Sequence, residues 1–306
     1  MGAIWLCLVA VMIAGYVVLD GFDIGVGILH LLIAHTDDER RALIQSIGPV
    51  WDGNEVWLLA AGGTLYFAFP ALYAASFSGF YLPLMMVLWL LILRGVSLEF
   101  RSHVGGHLWS VFWDAVFAVA SILLAVFFGA ALGNVVRGVP LDAAGNFFEP
   151  LWTNFQPTGQ TGILDWYTIL VGMVALAVLA FHGAVWLTWR VRGELNGRTH
   201  AVALRLWWVA ALTIILTFVN FRLLPVGLYS FRVHPLGFIF PLLAIAGLVG
   251  VKLFLRGNQE AAAFAASCVY IIGMLTSVTF TLYPNVLPST AGIINNLTVA
   301  NAKAAH

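Results

Sequence analysis

Charge is scarce in this 306-residue chain. Asp, Glu, Lys and Arg together make up 9% of it, against 61% hydrophobic residues. With a mean hydropathy of +0.95, that scarcity excludes an ordinary soluble domain. What charge there is shows no bias of sign: Lys+Arg and Asp+Glu stand at 14 each, so no basic field exists for nucleic acid. Cysteine is nearly absent. Cys7 and Cys268 both fall in apolar segments without metal-ligand spacing, and read as two small buried hydrophobes. No Lys or Arg precedes the first apolar run, which continues past Leu19 to Ile33 without a cleavage-like break. That argues for a first membrane span and against a removed leader. Short repeats, low-complexity tracts, phosphate-binding loops and nucleophile elbows are missing too. The chain reads as a single polytopic membrane domain over 1–306.

Long apolar runs are what the sequence does contain. An apolar helix needs about 20 residues to cross a bilayer, and eight stretches qualify: roughly 3–33, 43–69, 71–97, 108–136, 163–189, 204–226, 235–255 and 261–284. Backbone groups in lipid must be satisfied internally, so the expected fold is an all-α helical bundle. Ten basic residues, Arg40, Arg41, Arg94, Arg101, Arg190, Arg192, Arg198, Arg205, Lys252 and Arg256, fall on one side of that topology. Arg137, Arg222, Arg232 and Lys303 fall on the other. The bias puts the first side in the cytoplasm and the N-terminus outside. The longest outer loop, Gly138 to Gly162, contains Trp152 with Phe147, Phe148 and Phe155 and reads as an interfacial aromatic belt.

Against this apolar background, Asp20, Asp23, Asp52 and Glu55 stand out. An ionisable group within a bilayer costs about 2.5–3.5 kcal/mol even on a lenient scale, so each calls for a partner, a cavity or a proton path. Residues three apart share a helix face, which pairs Asp20 with Asp23 and Asp52 with Glu55. Gly21, Gly25 and Gly27 let a neighbouring helix come close to the first pair. Two carboxylates held together in a low dielectric do not both ionise easily, which gives a pair a proton to hold and release. A single helix over 43–69 sets Asp52 about three turns from the cytoplasmic end, or ~12–14 Å deep. For a single acid, hydrogen-bonded packing is an equal reading; four acids in two pairs favour a proton or ion role. Glu99 and Asp114, near Arg94 and Arg101, read as a structural ion-pair network. His182 alone among the histidines lies well within a span, and reads as hydrogen-bonded packing in preference to a haem ligand.

Several motifs together resemble subunit II of the cytochrome bd-type quinol oxidases. They are Asp20–Gly27, Asp37–Arg41, the Ile47–Leu58 run containing Trp51-Asp52-Gly53-Asn54, Ala61–Gly63, Phe69-Pro70 and Ser76–Tyr81. Arg94 with Glu99–Ser102, Gly133-Asn134, Arg137–Pro140, Gly193–Leu195, Arg198-Thr199 and Tyr283–Ser289 extend the likeness in order along the chain. The resemblance implies a prokaryotic respiratory terminal oxidase in the cytoplasmic membrane. Such an enzyme oxidises quinol near the outer face and reduces oxygen with cytoplasmic protons, so that charge is separated without a pump. It implies a heterodimer with subunit I, which carries the quinol-binding loop, two b haems and haem d, and leaves subunit II without haem. Small single-span subunits can accompany such a pair. By the same resemblance Asp52 is the proton-path aspartate and Trp51 a candidate contact for a structural quinone. Asp20 and Asp23 match first-helix acids whose relay or packing role stays open, and Glu55 ranks beside them. The family pattern has nine spans against the eight counted here, and the connection from Arg222 to His234 is short beside some relatives. Two other classes compete on the residues alone. One is a proton-coupled secondary transporter with midplane acids. The other is a purely structural membrane subunit.

Overall fold

The computed structural model describes residues 2–104, 106–156, 160–223 and 229–304, with backbone alone over 218–223 and at 229. Eleven α-helices dominate the described residues. They are α1 (Gly2–Ile33), α2 (Asp37–Ile47), α3 (Trp51–Ala68), α4 (Pro70–Gly79), α5 (Tyr81–Phe100) and α6 (His107–Arg137), followed by α7 (Trp166–Arg190), α8 (Gly193–Leu223), α9 (Tyr229–Val233), α10 (Ile239–Arg256) and α11 (Glu260–Leu282). Among the described residues, seven helices are long and apolar enough to cross a membrane: α1, α5, α6, α7, α8 to Thr217, Pro235–Arg256 and α11. The expected multi-pass helical bundle is present. The end of the expected 204–226 span, and the Arg222 side chain counted for orientation, lie outside the described residues.

Two expected spans are divided. Gly48 and Pro49 interrupt the 43–69 stretch, because proline cannot continue a helix and restricts the residue before it. The result is α2, an 11-residue surface helix, and α3, an 18-residue one. A capping box fixes the start of α2: the Thr36 hydroxyl accepts from Glu39 N, and Glu39 accepts from Thr36 N. The 71–97 stretch breaks at Phe80 into α4 and α5. Pro70 opens α4 at a position where the missing N–H costs no bond.

The helices pack as two groups of four. In the first, α1 contacts α3 and α6, and α5 contacts α6; in the second, α7 contacts α8 and α11, and α10 contacts α8 and α11. Contacts of α7 with α1 and α6 join the groups. The α1–α7 crossing is tight because two glycines meet there. A Cβ on Gly25 would lie 2.1 Å from Leu179 O, and one on Gly183 would lie 2.4 Å from the Gly25 carbonyl carbon. Consequently α1 has two characters. Much of its first half faces outward, whereas every residue from Asp20 to His30 is buried by protein. The acids of the first span therefore avoid lipid. Cys7 is exposed on the outward half of α1 and Cys268 is half-buried, so neither is the fully buried hydrophobe expected.

At one end of the bundle the N-terminus of α1, the 138–165 connection and the C-terminal segment pack together. There β1 (Asn285–Leu287) pairs antiparallel with β2 (Leu297–Thr298), and Val139 N donates to Pro288 O at 3.0 Å. Phe69, Leu141, Ile163, Leu287 and Ala302 form a small apolar core below them. Phe148, Trp152 and Phe155 of the connection are exposed. The opposite end carries α2 and most of the arginines.

Candidate functional site

The acid pair of α1 meets α3 and α5 inside the first helix group. Arg94, from the last third of α5, is fully buried and donates from Nη2 to Asp20 Oδ1 at 2.6 Å and to Glu55 Oε2 at 3.2 Å. Asp23, one turn on from Asp20, accepts from Asn54 Nδ2 at 2.8 Å, and the same amide reaches Leu19 O at 3.2 Å. One guanidinium thus faces two carboxylates, with a third held by a neutral amide next to it. Arg94 Nε, Arg94 Nη1 and Asp23 Oδ1 are buried without a hydrogen-bond partner among the described residues. Such groups are costly to bury, and they leave two donors and one acceptor open to a polar partner.

Three of the four acids singled out in the sequence, Asp20, Asp23 and Glu55, come together here. Asp52 does not join them. It lies in the first turn of α3, on an exposed face, because α3 begins at Trp51. The three-turn depth expected for it is corrected by the Gly48-Pro49 break. Glu55, three residues on and half-buried, points from that helix to Arg94. Trp51 is half-buried and lies over Gly95 of α5. Sequence reasoning assigned Arg94 to the positively charged flank and to Glu99, whereas Glu99 is exposed and Arg94 internal. Only the cost of the acids themselves signalled that an internal cation was required.

Asp114 does anchor an ion-pair network, at the arginine-rich end. It accepts from Arg101 Nε at 2.5 Å and from Arg40 Nη1 at 3.3 Å, and lies 2.6 Å from His30 Nε2. Arg101 also reaches Asp37 at 2.7 Å, and Arg41 reaches the same carboxylate at 2.8 Å. These bonds tie α2 to α1, α5 and α6. Burial raises the Asp37 carboxyl, but Arg101 and Arg41 outweigh it and hold the group below its ordinary value. Glu39 is likewise held low, first by the His35 backbone N–H at 2.7 Å, against burial, and then by Arg198.

At the other end Arg137 binds Asp165, Asn134 Oδ1 at 2.8 Å and the Gly162 carbonyl at 3.2 Å. It also approaches Glu149 at 3.4 Å, so it fastens the outer connection. Burial of Glu149 raises its carboxyl above the ordinary range, with Arg137 opposing. Both ring nitrogens of His182 are engaged by protein, Nδ1 with Ser267 Oγ at 2.8 Å and Nε2 with Val18 O at 2.9 Å. No group of three or more His, Cys, Asp or Glu suited to a metal occurs among the described residues.

Known proteins share both the sequence and the arrangement. The family model described as cytochrome bd terminal oxidase subunit II matches residues 1–306. Cytochrome bd-I ubiquinol oxidase subunit 2 of Escherichia coli (strain K12) is 31% identical, over 98% of this chain and 85% of that protein. A probable cytochrome oxidase subunit 2 of Haemophilus influenzae is 32% identical, over 94% and 82%. Cytochrome bd ubiquinol oxidase subunit 2 of Bacillus subtilis (strain 168) is 31% identical, over 98% and 85%. The solved bd oxidase from Geobacillus thermodenitrificans has the same fold, with a TM-score of 0.74 over 97% of this chain and 89% of that one, at 17% identity. The chain belongs to the cytochrome bd terminal oxidase subunit II family.

Proposed function

We propose that this chain is the haem-free subunit of a bd-type quinol oxidase in a prokaryotic cytoplasmic membrane, forming one polytopic domain with its N-terminus outside. In this reading it pairs with subunit I, whose two b haems and haem d carry electrons from quinol to oxygen. It supports that subunit and contributes a proton path from the cytoplasm, while quinol, lipid and small single-span subunits complete the assembly.

One observation carries the reading: the outward face of α3. Only Asn54, Ala61 and Ala68 of this helix are buried, and Asp52 and Gly53 face outward. At Gly53, Gly62 and Gly63 there is open space where a side chain would stand. A carboxylate with small residues beside it suits the close approach of another protein helix, not acyl chains. Asp52 then sits between the two subunits near the arginine-rich end, where cytoplasmic protons enter. Glu55, Asp20 and Asp23 extend inward from it, with three carboxylates for one guanidinium. Asp20 is a positioning residue for Arg94 and Glu55, and Trp51 is the contact for a structural quinone.

The test is oxygen consumption with reduced quinol by membranes carrying Asp52→Asn, with haem spectra of the same membranes as the assembly control. Lost turnover with intact spectra supports a proton-carrying Asp52. Normal turnover with normal spectra removes that role and leaves a scaffold. Lost spectra assign Asp52 to the subunit contact.

A further inference from the structure

The face formed by α8 and α10 carries cations that none of the internal clusters uses. Lys252 Nζ stands 3.9 Å from the centre of the Trp207 ring and 4.1 Å from that of Trp208. The indoles meet edge to face at 4.8 Å, and Trp207 is fixed by its Nε1 donating to Leu248 O at 2.7 Å. The ammonium is therefore held in place by two ring faces while its N–H donors remain for an acceptor. Arg205 lies three residues before Trp208 on one face of α8, and Arg256 four residues after Lys252 on one face of α10. Both arginines are exposed, and none of the three cations has an ion-pair partner among the described residues.

Toward the middle of the membrane each stripe turns apolar. Trp208, Leu212 and Ile215 are exposed along α8, and Ile245 and Val249 along α10. Both helices belong to the second group, whereas α3 belongs to the first. Arg205 stands at the start of the expected 204–226 span, and Lys252 and Arg256 at the end of the expected 235–255 span. Three cations beside two apolar stripes thus match the charge and shape of a phospholipid with a net negative headgroup.

We propose that the α8–α10 face binds one anionic diacyl phospholipid, with its phosphate on Arg205, Lys252 and Arg256 and its acyl chains along the apolar stripes. A zwitterionic headgroup brings its own ammonium to the same cations and is disfavoured. Each Lys or Arg near such a surface contributes roughly a fivefold gain in affinity.

The test uses the delipidated complex with its partner subunit, titrated with phosphatidylglycerol or phosphatidylcholine, with bound lipid counted by native mass spectrometry. Phosphatidylglycerol is expected to bind preferentially to the wild type. The triple change Arg205→Gln, Lys252→Gln and Arg256→Gln should weaken its tightest binding on the order of a hundredfold. The charge-keeping triple Arg205→Lys, Lys252→Arg and Arg256→Lys should retain most of it. Equal binding of the two lipids overturns the proposal, as does unchanged phosphatidylglycerol binding in the neutral variant. Displacement by inorganic phosphate beyond that by chloride at matched ionic strength overturns it in favour of a free-anion site. The wild-type comparisons stand even where the neutral variant fails to assemble.

Discussion

Arg94 and Asp20, 74 residues apart in the chain, meet at 2.6 Å with neither side chain exposed. Taking both charges out of water is costly, and the pair compensates only while both members are present.

The first prediction follows from that dependence. Arg94→Leu leaves Asp20 buried without its cation and should cost about 3–5 kcal/mol. In the double change Arg94→Leu with Asp20→Leu, much of that loss should return, less what Glu55 still requires. Thermal unfolding of the purified complex measures both. A double variant as damaged as the single one would show that Arg94 serves the fold mainly through other contacts.

Most of this architecture was legible in hydropathy, because a bilayer leaves a long apolar run little choice but a helix. The acids were legible for the same reason, as exceptions that needed explaining. Their partner was not. Arg94 sits near the end of an apolar run, where a cation ordinarily marks the headgroup level, and no local pattern says that its helix turns it inward to α1. The division of the 43–69 stretch was written in Gly48-Pro49, but its consequence for Asp52 depends on where the next helix starts. That start, Trp51, moves Asp52 from mid-helix to a first turn.

The glycines separate contacts within the chain from contacts beyond it. Gly183→Ala places a methyl carbon 2.4 Å from the backbone of Gly25, where neither helix can yield cheaply. Overpacking of this kind costs about 1–3 kcal/mol or more. A lower melting temperature and poorer accumulation of the complex are expected. Unchanged melting would mean that α1 and α7 can separate without penalty.

Gly62→Leu or Gly63→Leu should behave differently, since among the described residues, apart from the adjoining backbone of α3, nothing lies within 4 Å of the added Cβ. The subunit's own helical fold should persist, by circular dichroism, while its co-purification with subunit I falls several-fold. Intact co-purification would place the partner elsewhere than on α3.

Glu39 supplies a dependence on pH. Its carboxylate is favoured in the folded state by the His35 backbone N–H, by Arg198 and by the Thr36 backbone N–H, against the opposing effect of burial. Because its folded value lies below the ordinary 4.5, its stabilising effect is present above that pH. It is lost as pH falls through the lower folded value, where the carboxyl takes up a proton in the folded state as well. Replacing it with Gln removes the charge at every pH. Glu39→Gln should therefore lower the melting temperature at pH 7 by about 2 °C, the scale of a capping interaction in a chain of this size. The gap between variant and wild type should narrow as pH falls below 4.5 and close below the lower folded value. A gap that stays constant as pH falls from 7 through that lower value would assign the effect to the geometry of the capping box, because glutamine preserves that shape imperfectly at any pH.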